Sequence, residues 1–186
     1  ILLNDLYNGA LWRMTGTSSI LIVTGEQRFK VFPPRTAAAL AWLSEPLAVA
    51  VSPDGAIFVS DSSANKIHRV APDGTITHVA GHGTYGCCAD GGPALLARMR
   101  FPFGIAVDPQ NRLVVADYGN NLILRFSTDG AMTVIGGSVE GASGVGAFSG
   151  DGRAATAAKL NSPTAVAVDP AGNVYFCDTG NHRVRR

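Results

Sequence analysis

Residues 102–136, PFGIAVDPQNRLVVADYGNNLILRFSTDGAMTVIG, contain four short apolar runs rich in β-branched residues. The turn DPQN (108–111) separates the first two runs, and the turn STDG (127–130) separates the last two. The second run ends at Asp117. Because proline presets φ and glycine supplies a positive φ in such turns, this stretch predicts four antiparallel strands joined by tight connections.

The same arrangement recurs along the chain. The aspartate that closes the second run recurs at intervals of 56, 56 and 61 residues, and an arginine follows eight residues after each aspartate. A proline precedes each of the last three aspartates by 15 residues. The repeated aspartates and arginines are Asp5, Asp61, Asp117, Asp178, Arg13, Arg69, Arg125 and Arg186. Four-stranded units in a repeating array are typical of the blades of an all-β propeller.

Two of the units resemble NHL repeats. They are PLAVAVSPDGAIFVSD (46–61) and PTAVAVDPAGNVYFCD (163–178), the second of which continues as TGNHRV (179–184) with the Asn-His pair of the family. The other copies have asparagine without the histidine, at Asn8, Asn65 and Asn121. The resemblance implies a propeller of antiparallel blades, about six in a complete ring. It does not imply one function, because NHL domains include binding scaffolds, sensor ectodomains, RNA binders and relatives of enzymes.

The pattern predicts one NHL segment with a partial blade at 1–25, blades at 46–81 and 102–137, and a partial blade at 163–186. It contains 14 predicted strands, because the first unit lacks an inner strand and the last lacks an outer one. We therefore expect an arc of about 3.5 blades of a six-bladed ring. Such an arc leaves two sheet edges exposed, which favours a fragment of a longer chain or closure with another chain, including another copy.

Composition limits the classes of partner. The chain of 186 residues has 15 Lys and Arg against 14 Asp and Glu, so its charge gives no reason to expect nucleic acid. Its apolar runs stay below the ~18 residues of a membrane helix, so no membrane insertion is expected. The residues present include no signal peptide. By resemblance to bacterial and extracellular NHL arrays, we expect an extracellular, cell-surface or periplasmic location.

The blade-to-blade connections at 26–45, 82–101 and 138–162 are much longer than hairpin loops, which indicates a function or local structure. The last two contain DGGPA (90–94) and DGRAA (151–155), which predict a turn followed by one helical turn. The candidate interaction residues in these connections are His82, Tyr85, Asp90, Arg98, Glu140, Phe148, Asp151 and Arg153.

The sequence predicts no catalytic residue, metal or cofactor. An aspartate repeated in every copy indicates architecture, so we expect each to accept backbone N–H bonds in its turn and each repeated arginine to brace an adjacent blade or turn. Asp90 and Asp151 are expected to cap their own loops or helical turns. The alternative is that one of them binds calcium. The glycine-rich segment 136–146 lacks the Lys-Ser/Thr ending of a phosphate loop, so a flexible loop is favoured.

The histidines and cysteines do not have zinc spacing. Cys177 lies in a strand pattern and is expected to be a small buried hydrophobe. Cys87 and Cys88 are adjacent, and a bridge from either to a segment outside this chain remains an alternative.

The inner strands carry no ionisable group before their terminal turns. This favours a non-enzymatic scaffold that binds a protein, or a glycan, through the face formed by the long connections. The alternative is part of a propeller hydrolase or lyase whose catalytic residues lie in blades outside this chain.

Overall fold

The computed structural model describes strands at 2–5, 10–15, 19–24 and 36–37, and the residues 43–84, 86, 91–139 and 146–186. The strands are β1 (Leu2–Asp5), β2 (Ala10–Thr15), β3 (Ser19–Thr24), β4 (Thr36–Ala37), β5 (Pro46–Val51), β6 (Ile57–Asp61), β7 (Lys66–Val70), β8 (Thr75–Ala80), β9 (Pro102–Val107), β10 (Leu113–Asp117), β11 (Leu122–Phe126), β12 (Met132–Gly136), β13 (Pro163–Val168), β14 (Val174–Asp178) and β15 (Arg183–Arg185). Single turns of 3₁₀ helix cover Ala94–Leu96, Tyr118–Asn120, Ala155–Ala157 and Thr179–Asn181.

The strands form four antiparallel sheets, which we call blades 1 to 4. Blade 1 is β1-β2-β3, blade 2 is β5-β6-β7-β8, blade 3 is β9-β10-β11-β12 and blade 4 is β13-β14-β15. The inner strands β5, β9 and β13 pack side by side. The backbones of β9 and β13 lie close together at Gly104, where a Cβ atom would lie 2.6 Å from the Cα of Ala165. This architecture confirms the predicted all-β propeller.

One strand was not predicted. β4 lies in the connection 26–45 and pairs with the outer strand β8, Thr36 opposite Ile76 and Ala37 opposite Thr75. Blade 3 has the equivalent arrangement, in which Pro93 bridges Ala131 at the start of β12. Each of these connections thus covers part of the outer edge of the blade that follows it, which protects edge hydrogen-bonding groups. The 3₁₀ turns Ala94–Leu96 and Ala155–Ala157 confirm the predicted helical turns.

Hydrophobic clusters between neighbouring blades hold the arc together. The cluster between blades 2 and 3 includes Ile67, Leu122 and Met132, and it also takes in Met99 from the connection 82–101. Met99 is fully buried. Burial of each such side chain stabilises the fold by about 1.5–3 kcal/mol, so the connection contributes to the core and is not a passive linker.

Candidate interaction face

The repeated aspartates fix the connections that form this face. Asp61 accepts the backbone N–H groups of Ser44 and Glu45, each at 2.9 Å. Asp117 accepts the N–H of Arg100 at 2.7 Å. Asp178 accepts the N–H of Asn161 at 2.7 Å, in the same geometry as Asp117. These donors lie 16 or 17 residues upstream, so each aspartate binds the connection entering its own blade. Asp61 also accepts the backbone N–H of Ala64, a donor in its own turn of the kind that the sequence predicted.

Two asparagine positions extend this network. Asn120 donates from Nδ2 to Asp117 and to the carbonyl groups of Gly86 and Arg98, and Asn181 donates to Asp178 and Ala147. The next residue in each copy is left-handed, with φ of 54° at Asn65, 58° at Asn121 and 55° at His182. His182 is thus the structural equivalent of Asn65 and Asn121. The sequence pattern had instead aligned Asn181 with those two asparagines.

The repeated arginines bind the opposite ends of the blades. Arg69 forms an ion pair with Asp54 in the β5–β6 turn at 2.8 Å. Arg125 lies 3.8 Å from Asp108 in the β9–β10 turn. Arg186 has no ion pair among the described residues, and its neighbour Arg185 is the brace of blade 4. Only the strand positions of Asp5 and Arg13 are described.

Arg185 ties the connection 146–162 to blade 4. Its guanidinium contacts Asp178 at 3.2 Å and Asp151 at 2.8 Å, and donates to the carbonyl groups of Ser149 and Lys159. Asp151, one of the two residues considered for calcium, therefore has a cationic partner, while Asp90 lies outside the described residues. Within the part of the chain that the structure describes, no three His, Cys, Asp or Glu side chains form a group that could hold a metal ion.

Burial raises the pKa of Asp117 to about 7, against the opposing effect of its hydrogen bonds to Arg100 and Asn120. Burial also raises the pKa of Asp61. Such a shift can mark a functional carboxyl group. Here the geometry indicates a structural role, because Asp61 and Asp178 occupy equivalent positions and bind equivalent backbone groups.

The predicted interaction residues that the structure describes are at the surface but do not form one cluster. His82 is exposed and its Nδ1 lies 2.9 Å from Thr84 Oγ1. Phe148 is 44% exposed, with the guanidinium of Arg183 3.9 Å from its ring centroid. Arg98 and Arg153 are exposed. Tyr85, Cys87, Cys88, Asp90 and Glu140 lie outside the described residues; Cys177 is half-buried with a free thiol.

A second cluster lies where β9 begins and β10 ends. The rings of Phe103 and Tyr118 stack with centroids 4.4 Å apart and an interplanar angle of 15°. Beside them, Arg98 and Arg100 are exposed on either side of the buried Met99. We call Arg98, Arg100, Phe103 and Tyr118 the blade 3 mouth.

Glycines fix the stems of the two arginines. A Cβ at Gly119 would lie 2.5 Å from Arg100 Cγ, and one at Gly86 would lie 2.7 Å from Arg98 Cδ. The aliphatic part of each arginine therefore occupies the space that a side chain would fill.

Blade 3 differs at these positions from its neighbours. In blade 2 the equivalents of Arg100, Phe103 and Tyr118 are Ser44, Leu47 and Ser62, and in blade 4 they are Asn161, Thr164 and Thr179. Thr164 and Thr179 form a 2.6 Å hydroxyl contact in place of the aromatic stack. Sequence reasoning searched for residues common to all copies and so missed these three, which a search for positions that differ in one copy would have found.

The comparisons with known proteins agree with this architecture. A family model described as the NHL repeat matches residues 99–126 and 160–186. Teneurin-m of Drosophila melanogaster is 30% identical over 158 residues, which are 78% of this chain but 6% of that protein. The chain thus spans a small fraction of the length of this relative.

Solved structures show the same fold at low sequence identity. A Bacteroides thetaiotaomicron protein of unknown function aligns with 95% of this chain and 41% of its own, with a TM-score of 0.72 and 16% identity. A virginiamycin B lyase of Staphylococcus aureus, solved with quinupristin, aligns with 98% of this chain and 46% of its own chain. The TM-score is 0.61 and the sequence identity is 16%. Together with the matched repeats and the equivalent aspartates of the blades, these similarities show that the chain belongs to the NHL-repeat family of β-propellers.

Proposed function

We propose that this chain is a non-enzymatic scaffold that binds a partner protein through the face formed by its long connections, with the blade 3 mouth at the centre of the contact. One observation carries the proposal. The buried aspartate network is equivalent in blades 2, 3 and 4, whereas the exposed Arg100 and the Phe103–Tyr118 stack occur in blade 3 and not in the other two.

The chemistry of the blade 3 mouth suits a protein contact. Tyrosine and arginine are enriched at the energetic centres of protein interfaces, because each combines a large contact area with a polar group. The backbone of this region is already fixed by Asp117 and Asn120, so binding would require little further ordering. These two features favour the mouth over the more scattered exposed residues of the same face.

The alternative is that the chain is part of a hydrolase or lyase. Its similarity to a lyase concerns the fold, since the identity is 16%. The inner strands β5, β9 and β13 contain no ionisable side chain. No described residue therefore favours this alternative over the scaffold.

We also propose an extracellular or cell-surface location, which the similarity to Teneurin-m supports. In the described part of the chain, no helix is long and apolar enough to cross a membrane. Labelling of an epitope on intact, unpermeabilised cells would test this location. Labelling only after permeabilisation would contradict it.

Site-specific photo-cross-linking would test the binding proposal. A photoreactive phenylalanine analogue is placed at Tyr118 in the full chain, and in a matched variant at Asp129, which lies in the β11–β12 turn of the same blade at its opposite end. We expect the Tyr118 probe to cross-link one defined protein that the Asp129 probe does not reach. The same protein should be lost from pull-downs with the Phe103→Ala/Tyr118→Ala variant.

Two results would overturn the proposal. One is equal cross-linking from positions 118 and 129. The other is unchanged recovery of the partner by the double-alanine variant at a wild-type urea midpoint. A lowered midpoint would call for the milder Phe103→Thr/Tyr118→Thr variant, which copies the Thr164–Thr179 pair of blade 4.

A further inference from the structure

The blade 3 mouth carries two cations, and the charge of Arg100 is near enough to the buried Asp117 to lower the pKa of that carboxyl group. Neither Arg98 nor Arg100 has an ion pair with any carboxylate that the structure describes. The side chains of Ser63 and Arg185 bind the two non-buried carboxylates described on this face, Glu45 and Asp151. Both guanidinium groups are exposed and, among the described residues, form no ion pair, so they are accessible to a ligand.

The exposed charges described on the two faces differ. The opposite face, formed by the hairpin turns, contains Asp54, Asp73, Asp108, Asp129 and Asp169, and Asp54 and Asp108 pair there with Arg69, Arg112 and Arg125. The face with the long connections has exposed Arg98, Arg100, Arg153, Lys159 and Arg183 among its described residues. Among the described residues that are exposed on this face, cations therefore outnumber carboxylates, since Asp151 is paired with Arg185 and Glu45 is half-buried.

The two cations of the mouth are not both repeated in the neighbouring blades. The equivalents of Arg100 are the uncharged Ser44 and Asn161, whereas Arg98 has a cationic equivalent in blade 4, Lys159. A nucleic acid or sulfated glycan presents anions at regular intervals and favours a continuous row of basic side chains. Two arginines beside a half-buried aromatic stack match a short peptide with a few carboxylates and one apolar side chain.

We propose that the blade 3 mouth recognises an acidic peptide segment, with carboxylates bound by Arg98 and Arg100 and an apolar side chain packed on Phe103 and Tyr118. This inference rests on the proposed function, because it assigns the chemistry of the partner at the same surface. It predicts that binding weakens as salt is added and requires acidic residues in the peptide, whereas protein binding in general requires neither property.

The test uses the full chain and a short fluorescein-labelled peptide in which glutamates flank one tyrosine. Fluorescence anisotropy compares it with the same peptide carrying glutamine for each glutamate, with oligouridylate and with a heparin-derived oligosaccharide. We expect the glutamate peptide to bind at least about tenfold more tightly than the glutamine peptide at low salt, and to lose most of this advantage at ~0.5 M NaCl.

The matched control is Lys159→Gln, because Lys159 is the equivalent of Arg98 in blade 4. We expect Arg98→Gln/Arg100→Gln to weaken peptide binding about tenfold with an unchanged urea midpoint, and Lys159→Gln to change it less than about twofold. Equal losses in the two variants would contradict a site at blade 3.

Equal binding of the glutamate and glutamine peptides would overturn the acidic specificity. Tighter binding of the oligouridylate or the heparin oligosaccharide would overturn the peptide class. If the partner cross-linked at Tyr118 still binds the Arg98→Gln/Arg100→Gln variant at high salt, this inference fails while the proposed function stands. Loss of that partner in the Phe103→Ala/Tyr118→Ala variant supports the proposed function and does not by itself test the acidic specificity.

Discussion

Asn121 of blade 3 accepts the backbone N–H of Ser162 on its Oδ1 atom at 2.7 Å, across 41 residues of sequence. Both residues have left-handed backbones, with φ of 58° and 51°. Asn65 and Phe101 make the equivalent bond between blades 2 and 3 at 2.9 Å. Each bond joins the turn of one blade to the residue that precedes the first strand of the next, so it sets the position of the neighbouring blade.

Asn121→Ala should destabilise the chain by about 2–4 kcal/mol. The substitution leaves the N–H of Ser162 without its acceptor and places alanine in the left-handed region. Asn111→Ala is the matched control, because Asn111 is exposed and has a φ of 62° but no described side-chain bond to another blade. Urea denaturation should show a loss of about 1 kcal/mol for the control. Equal losses would show that the inter-blade bond adds nothing.

His68→Leu should stabilise the chain in mild acid. His68 is 2% exposed, and burial lowers its pKa to about 3, with smaller effects from His78 and Lys66. Its Nε2 lies 3.8 Å from an Oδ atom of Asp61.

Below pH 6.5 this histidine is protonated in the unfolded chain but stays neutral in the folded chain. The free energy of unfolding of the wild type therefore falls as the pH drops from about 6.5 towards 3. Leucine, the residue at the equivalent position 124 of blade 3, removes this loss. The stability advantage of the variant should grow by up to about 1.4 kcal/mol per pH unit between pH 6 and 4 in urea titrations. A difference independent of pH would contradict the assignment.

Asp117→Asn should have the opposite pH dependence. The folded pKa of Asp117 is raised to about 7, so the protonated group contributes stability at low pH that is lost as the pH rises from about 4 through 7. The free energy of unfolding of the variant should therefore rise relative to that of the wild type as the pH increases from 4 to 8. Asp129→Asn is the control: the hydrogen bond from Ser127 lowers the pKa of that exposed group below its ordinary value of 3.8, so its titration affects stability only below about pH 4 and its effect should not change between pH 4 and 8. Urea midpoints across this pH range would measure both.

The sequence predicted the parts of the fold that repeat. Apolar runs, Asp-Gly turns and the spacing of Asp61, Asp117 and Asp178 depend on local chemistry that is the same in each blade, so their pattern is visible in one chain. The strand Thr36–Ala37 was missed because its pairing comes from the outer edge of β8 and not from its own composition. The sequence predicted backbone donors in the turn, as Ala64 provides for Asp61, but it missed the donors from the distant connection.

The candidate site was harder to predict because its residues are ordinary when read singly. Phe103 falls in an apolar strand and Tyr118 in a turn, and only the fold brings the two rings together. His82, Arg98 and Phe148 were identified from the length of their connections, but the sequence could not show that Arg98 alone of these would lie in the blade 3 mouth. Differences between repeats carry the functional information, whereas identities between repeats carry the architecture.

Arg185→Ala should destabilise the chain by about 3 kcal/mol, because it removes the cation beside the fully buried Asp178 and frees the carbonyl groups of Ser149 and Lys159. Arg186→Ala is the matched control on the adjacent exposed residue and should cost less than about 0.5 kcal/mol. Urea denaturation of both variants separates the brace seen in the structure from the one expected from the repeat. A larger loss of unfolding free energy for Arg186→Ala than for Arg185→Ala would contradict this assignment. It would show that Arg186 braces blade 4, as the sequence repeat predicts.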